Sequence, residues 1–230
     1  MTRIKTRPLA DEELYRTTTN INYMKTPLKI ALIGVSGNVG KRIAEEALNR
    51  GHQVTGIARN IGDVAARNNL SLKLGDISDP EALAGMLKGN DLVVSSVKTT
   101  DFDPGQLITA VRLSGVKRWL VVGGAGSLEV SPGVTALDSG KLPDFVVPAA
   151  RGAQNFLNIL RPVQDIDWTV LSPAFEFTAG ERTGKFRLGK DEIIIDQNGK
   201  SAISFEDYAV ALLDEIEEPR HLKGRFSIGY

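Results

Sequence analysis

Three glycines at the spacing G-x-x-G-x-x-G, namely Gly34, Gly37 and Gly40, follow the apolar run Ile30-Ala31-Leu32-Ile33 and precede an alternation of charged and apolar residues from Lys41 onward. Glycines at a strand-to-helix joint make and break no bonds; they let a polyanion come close. Gly34 permits the sharp turn, Gly37 lets backbone approach a pyrophosphate, and Gly40 lets the helix pack against the strand. The helix that begins there presents unpaired N–H groups to phosphate. Ser36 and Asn38 lie within the turn as polar contacts, and Val39 fills its core side. A tight turn without a ligand uses similar residues, but the strand before and the helix after favour a bound dinucleotide.

The next residues with a chemical role stand where later strands end. An NAD site usually carries an acid about 20 residues beyond the glycines, to bind the ribose 2′-hydroxyl. That place here reads Gly56-Ile57-Ala58-Arg59-Asn60. Arg59 would pair with a 2′-phosphate and no carboxylate repels it, so the sequence favours NADP(H) over NAD(H). Gly75-Asp76-Ile77 ends a third strand, where an adenine would lie; Asp76 is a candidate for the base and equally a solvated helix-capping acid. Ser95-Ser96-Val97 ends a fourth, beside the expected ribose and nicotinamide. Ligands bind at such strand ends in open α/β sheets.

Strands are predicted near 29–34, 53–58, 71–75, 91–96, 118–123 and 167–171, with helices near 38–50, 61–67, 79–88, 104–115 and 148–161. Strand then helix with short joints means an α/β, Rossmann-type doubly wound parallel sheet. After Ser172 the pattern changes: Gly180, Gly184, Gly189 and Gly199 separate two short segments, 185–188 and 192–195, that read as small strands. A helix from Ser204-Phe205-Glu206-Asp207 to Glu215 and a strand at 226–228 follow. The organisation expected is a flexible tail over 1–27 and one NAD(P)-binding domain over 28–230, its substrate lobe mainly 173–204. Met24 stands where a shorter chain could begin.

Composition limits the classes of function. Twenty-eight basic and 28 acidic residues balance, so no global charge draws nucleic acid or an anionic membrane. With no cysteine there is no disulfide, thiolate nucleophile or cysteine metal site. No apolar run approaches the ~20 residues of a membrane span. The N-terminus lacks the apolar core of a signal peptide, and a cytoplasmic location fits. His52 and His221 are the only histidines, and neither stands where a serine–histidine pair or a metal cluster would need it, so no metal is expected.

The glycine turn, G-D-I-S-D-P at 75–80, V-V-G-G-A-G-S-L at 121–128, D-W-T-V-L-S-P at 167–173, G-E-R-T-G-K-F at 180–186 and S-F-E-D-Y-A at 204–209 resemble the atypical short-chain dehydrogenases. The likeness is to the NmrA-like NAD(P)H-binding group, with its candidate NADH-flavin reductases and biliverdin reductase B, and it covers residues 28–230. It implies a seven-stranded core in the order 3-2-1-4-5-6-7 with the cofactor across the strand ends. It also sets Ser127 at the family's active-site serine; a turn-forming hydroxyl would look the same. One departure is plain. Orthodox members use Tyr-x-x-x-Lys, whereas Tyr15, Tyr23, Tyr208 and Tyr230 all lack a lysine four residues on.

Hydride transfer to a flavin or quinone survives that loss, because the acceptor can take its proton from solvent. The resemblance thus implies an NADP(H)-dependent reductase of a planar acceptor, with flavin a possible substrate. Ser127 would orient the reactants, Pro173 and neighbouring backbone would hold the carboxamide, and Phe175, Phe177 and Phe186 would form an aromatic wall. Those aromatics serve equally as lobe core. Partners expected are the small planar acceptor and, at most, further copies in a small homo-oligomer, with neither nucleic acid nor membrane. A second reading is a non-catalytic NADP(H) sensor that reports to a regulatory protein partner through its 124–147 loop, where 138–148 suggests a lid. A third, weaker reading is a nucleotide-sugar epimerase or dehydratase.

Overall fold

The computed structural model describes residues 26–62, 64–100 and 102–230. Five strands and three helices build the first half: β1 Lys29–Ile33, α1 Asn38–Asn49, β2 Gln53–Ala58, β3 Leu70–Leu74, α2 Pro80–Leu87, β4 Leu92–Ser95, α3 Pro104–Ser114 and β5 Arg118–Val122. A small hairpin, β6 Glu129–Ser131 with β7 Val134–Thr135, leads to α4 Val147–Leu160 and β8 Asp167–Ser172. The remainder comprises β9 Glu176–Thr178, β10 Arg187–Gly189, β11 Ala202–Ser204, α5 Phe205–Glu217 and β12 Gly224–Gly229.

Local chemistry explains the boundaries. α2 starts at Asp79, whose carboxylate accepts from the Ala82 N–H at 3.0 Å, with Pro80 in the first position. α3 repeats the device with Asp103 and Pro104 and stops at Gly115, which takes the left-handed φ of +78°. Along β1, Ile30 and Leu32 face the layer formed by α1 and α5, while Ala31 and Ile33 face that of α2, α3 and α4. Both faces are covered, so the strand is apolar throughout rather than alternating.

The main sheet runs β3-β2-β1-β4-β5-β8-β12-β10. Its first seven strands are parallel and reproduce the order 3-2-1-4-5-6-7. The sheet corrects the expected strand number, because β10 adds an eighth, antiparallel strand at the edge of β12. Two other expectations fail. No helix forms over the described residues of 61–67; the Asn60 side chain accepts from the Gly62 N–H at 2.9 Å and turns the chain instead. Of 192–195, only Glu192 pairs, as a single bridge to Glu129.

Segment 173–204 divides between β10 on the main sheet and a parallel ribbon of β9 with β11. The expected tail lies outside the described residues except for Thr26 and Pro27. Among the described residues, no helix is long and apolar enough to cross a membrane.

Candidate functional site: a cavity at the strand ends

The turn after β1 is held by backbone. Gly34 donates from N–H to the Ile57 carbonyl at 2.8 Å, and Gly37 to the Gly34 carbonyl at 3.1 Å. A side chain at Gly34 would run into the Ser96 carbonyl, and one at Gly40 into the Gly34 carbonyl; Gly34 also sits at φ +87°. Protein packing accounts for both glycines. Gly37 differs, since a Cβ there meets only the Gly34 oxygen, at 3.3 Å. Its φ of −72° suits any residue.

Gly37 is also the N-cap of α1, and neither a side-chain cap nor an acid in the first turn occupies the helix end. That is the fit expected of a phosphate seat: an exposed positive helix end beside a position kept free of side chain for little internal reason.

Around this turn lies a cavity of about 340 Å³, lined among others by Gly34, Ser36, Gly37, Arg59, Asp76, Ile77, Ser96 and Val97. The carboxyl ends of β1, β2, β3 and β4 thus open into one space. Asn38, Val39 and Gly40 stand at the start of α1 behind it, Val39 half-buried against the core. Two cations, Arg59 and Lys98, line the wall against one acid, Asp76. Hydrogen bonds from Ser78, backbone N–H first, hold the Asp76 carboxyl below its ordinary range, and the Arg59 charge adds to this.

Other predicted residues lie elsewhere. Ser95 is buried, and its hydroxyl accepts from Trp119 Nε1 at 3.1 Å in the core rather than facing the cavity. Ser127 is buried in a 3-10 turn, Ala125–Ser127, outside the cavity lining, where its Oγ accepts from Arg225 Nη1 at 3.2 Å. Arg225 also pairs with Asp191 through Nε at 2.8 Å. Pro173 is buried just beyond β8.

The aromatic triplet does not converge. Phe177 packs edge-on against Phe205 at 4.7 Å and against Tyr208 at 4.8 Å, Phe186 packs on the same core, and Phe175 is exposed. The ring that does line the cavity is Phe102, set edge-on against Phe156 at 5.7 Å. Phe102, Lys98 and Gln106 escaped sequence reasoning. Their one signal is position, just after the fourth strand and at the start of the following helix.

Fold and cavity define a Rossmann-type dinucleotide-binding protein. Residues 34–219 match the NAD(P)H-binding family, and the chain belongs to it. The uncharacterised YwnB of Bacillus subtilis is 39% identical over 214 residues, spanning 87% of this chain and 98% of its own. A Bacteroides thetaiotaomicron structure described as a candidate epimerase shares 42% identity at a TM-score of 0.84, over 89% of this chain and 97% of its own. A candidate NADH-flavin reductase from Streptococcus pneumoniae shares 34% at 0.75, over 88% and 99%. Family and neighbours support an oxidoreductase and agree with the short-chain-dehydrogenase resemblance.

Proposed function

We propose that this protein is a cytoplasmic, NADP(H)-dependent reductase that delivers hydride to a small planar acceptor such as a flavin or quinone, without a tyrosine–lysine dyad. The observation that carries the NADP(H) preference is Arg59 on the cavity wall at the end of β2, where the one acid in the same lining, Asp76, is already held by the Ser78 N–H. When bound, the reduced nicotinamide supplies the hydride. The chain's own residues do the rest. The bare α1 N-terminus and Gly37 receive the pyrophosphate, Arg59 meets the 2′-phosphate, and Asp76 and Ile77 line the adenosine end. The acceptor's proton comes from water, and no side chain need supply it.

A binding titration and a turnover assay test this. NADPH should bind about tenfold or more tighter than NADH, and Arg59→Ala should remove the difference while leaving NADH affinity unchanged. NADPH oxidation with FMN, quinones and biliverdin in turn should show turnover with at least one; equal affinities, or silence across the panel, would reject the corresponding half of the proposal.

One observation favours the sensor reading. Ser127 is tied to Arg225, and Phe177 and Phe186 are packed into the core, so no acceptor subsite is assembled around them. On that reading the 124–147 segment, where Phe145 is 85% exposed, presents a surface to a regulatory partner. Tight NADPH binding with no turnover would select it.

A further inference from the structure

The cavity wall formed by the β4–α3 connection has chemistry that phosphate binding leaves unused. Phe102 contributes a ring packed against Phe156, and Ile77, in the middle of the β3–α2 connection, contributes an aliphatic side chain. Val97 adds a second aliphatic wall. α2 and α3 pack side by side, so the two connections enter the same space from neighbouring helix starts. Flat apolar surfaces of this kind suit a planar heteroaromatic ring.

Gln106 is the third residue of α3, in its first turn, and lines the same cavity. It is half-buried, and among the described residues nothing hydrogen-bonds its side-chain amide. A half-buried carboxamide facing an apolar slot has one donor side and one acceptor side to offer a ligand. That pair is complementary to the amino group and N7 of adenine, which a glutamine meets with two hydrogen bonds at once. Hypoxanthine presents two acceptors at the same edge, so the amide oxygen would face an oxygen and one bond would be lost.

We propose that Gln106 reads the purine of the bound dinucleotide, with Phe102, Ile77 and Val97 as the slot that holds the ring, and so selects adenine over hypoxanthine. The inference rests on the dinucleotide reading of the cavity and deepens it. Asp76 occupies the β3 side of the same space, but its carboxylate already accepts from the Ser78 N–H at 2.9 Å and can only accept. Gln106 supplies the donor that an adenine N7 requires.

The test is equilibrium binding, read by nicotinamide fluorescence and therefore independent of turnover. Wild-type protein should bind NADPH about tenfold tighter than its hypoxanthine analogue. Gln106→Leu removes two bonds from NADPH and one from the analogue, so it should weaken NADPH by about tenfold more than the analogue and bring the ratio close to one. Gln106→Lys, which can only donate, should turn the preference toward hypoxanthine. An unchanged ratio in Gln106→Leu, or equal weakening of both nucleotides, would overturn base reading while leaving the cofactor assignment intact. Wild-type protein that binds neither NADPH nor NADH would overturn both.

Discussion

The two ends of helix α1 are built on opposite principles. Its N-terminus carries no side-chain cap, no acid in the first turn and, at Gly37, no side chain at all. Toward its C-terminus the buried Glu46 receives Arg182 through Nε and Nη2, both at 2.8 Å, and Arg50 Nε at 2.8 Å. Arg50 goes on to Asp214 at 2.8 Å and to the Val210 carbonyl at 3.2 Å. His52, just beyond, accepts from the Leu28 N–H and meets Glu217 at 3.1 Å. One end leaves its partial charge unanswered, and the other pairs Glu46, Arg50 and His52. Saturation there stabilises the fold and leaves nothing for a ligand; bareness at the turn contributes little stability and leaves a seat for an anion.

Substitutions can break that contrast, and the largest effect belongs to the turn's packing rather than its binding role. Gly34→Ala places a side chain against the Ser96 carbonyl at a positive φ, so denaturant melts should show a loss on the order of 3 kcal/mol or more. Glu46→Gln is next. It leaves the two guanidinium groups short of a charged acceptor and should lower stability by about 2 kcal/mol, with NADPH affinity unchanged in a binding titration.

The Glu46 site also predicts a pH signature. Its hydrogen bond from Arg182, followed by the contacts from Arg50, lowers the carboxyl below its ordinary 4.5 despite the opposing effect of burial. A depressed acid stabilises the fold when ionised, so this contribution is present above about pH 4.5 and disappears as pH falls through the lower folded value. The melting temperature should fall more steeply between pH 6 and 3 for wild type than for Glu46→Gln. Gly37→Ala reverses the pattern: stability should move by less than about 1 kcal/mol while NADPH affinity falls about tenfold. If Gly37→Ala binds like wild type, the bare helix end is not the phosphate seat.

The smallest effect comes from a pair remote from both ends of α1. Arg112 holds the Asp165 carboxyl down at about 2, yet both side chains are about half exposed. Asp165→Asn should leave the melting temperature unchanged within error, since solvent screens such pairs.

Most of the fold was legible because its signals are local. β1, the glycine turn and α1 are adjacent in sequence, and Asp79-Pro80 and Asp103-Pro104 announce their helices by capping chemistry alone. What escaped depends on distant partners. β10 becomes a strand only because β12 offers an edge, and Phe177 becomes core only because α5 brings Phe205 and Tyr208 to it. The missing helix at 61–67 shows the converse, a propensity with little to pack against, since among its described residues only Ile61 and Val64 reach the core.

The site divides the same way. Its glycine turn and Arg59 follow strands directly, whereas Phe102, Lys98 and Gln106 join the cavity only when the β4–α3 connection folds over it. Ser95 misled because the apolar run of β4 does not disclose which hydroxyl turns toward Trp119.

The strand order carries a consequence for how the chain is made. β12 lies between β8 and β10, although β10 precedes it in the chain. As the polypeptide leaves the ribosome, β1 to β5 and β8 can assemble in turn, but β10 then has no edge to join. Residues 187–189 must wait until residues 224–229 have emerged and seated against β8. A pause in translation before that point would hold the nascent chain with a finished nucleotide turn and an open sheet margin along β8, the interval at which a chaperone or a like chain could capture it.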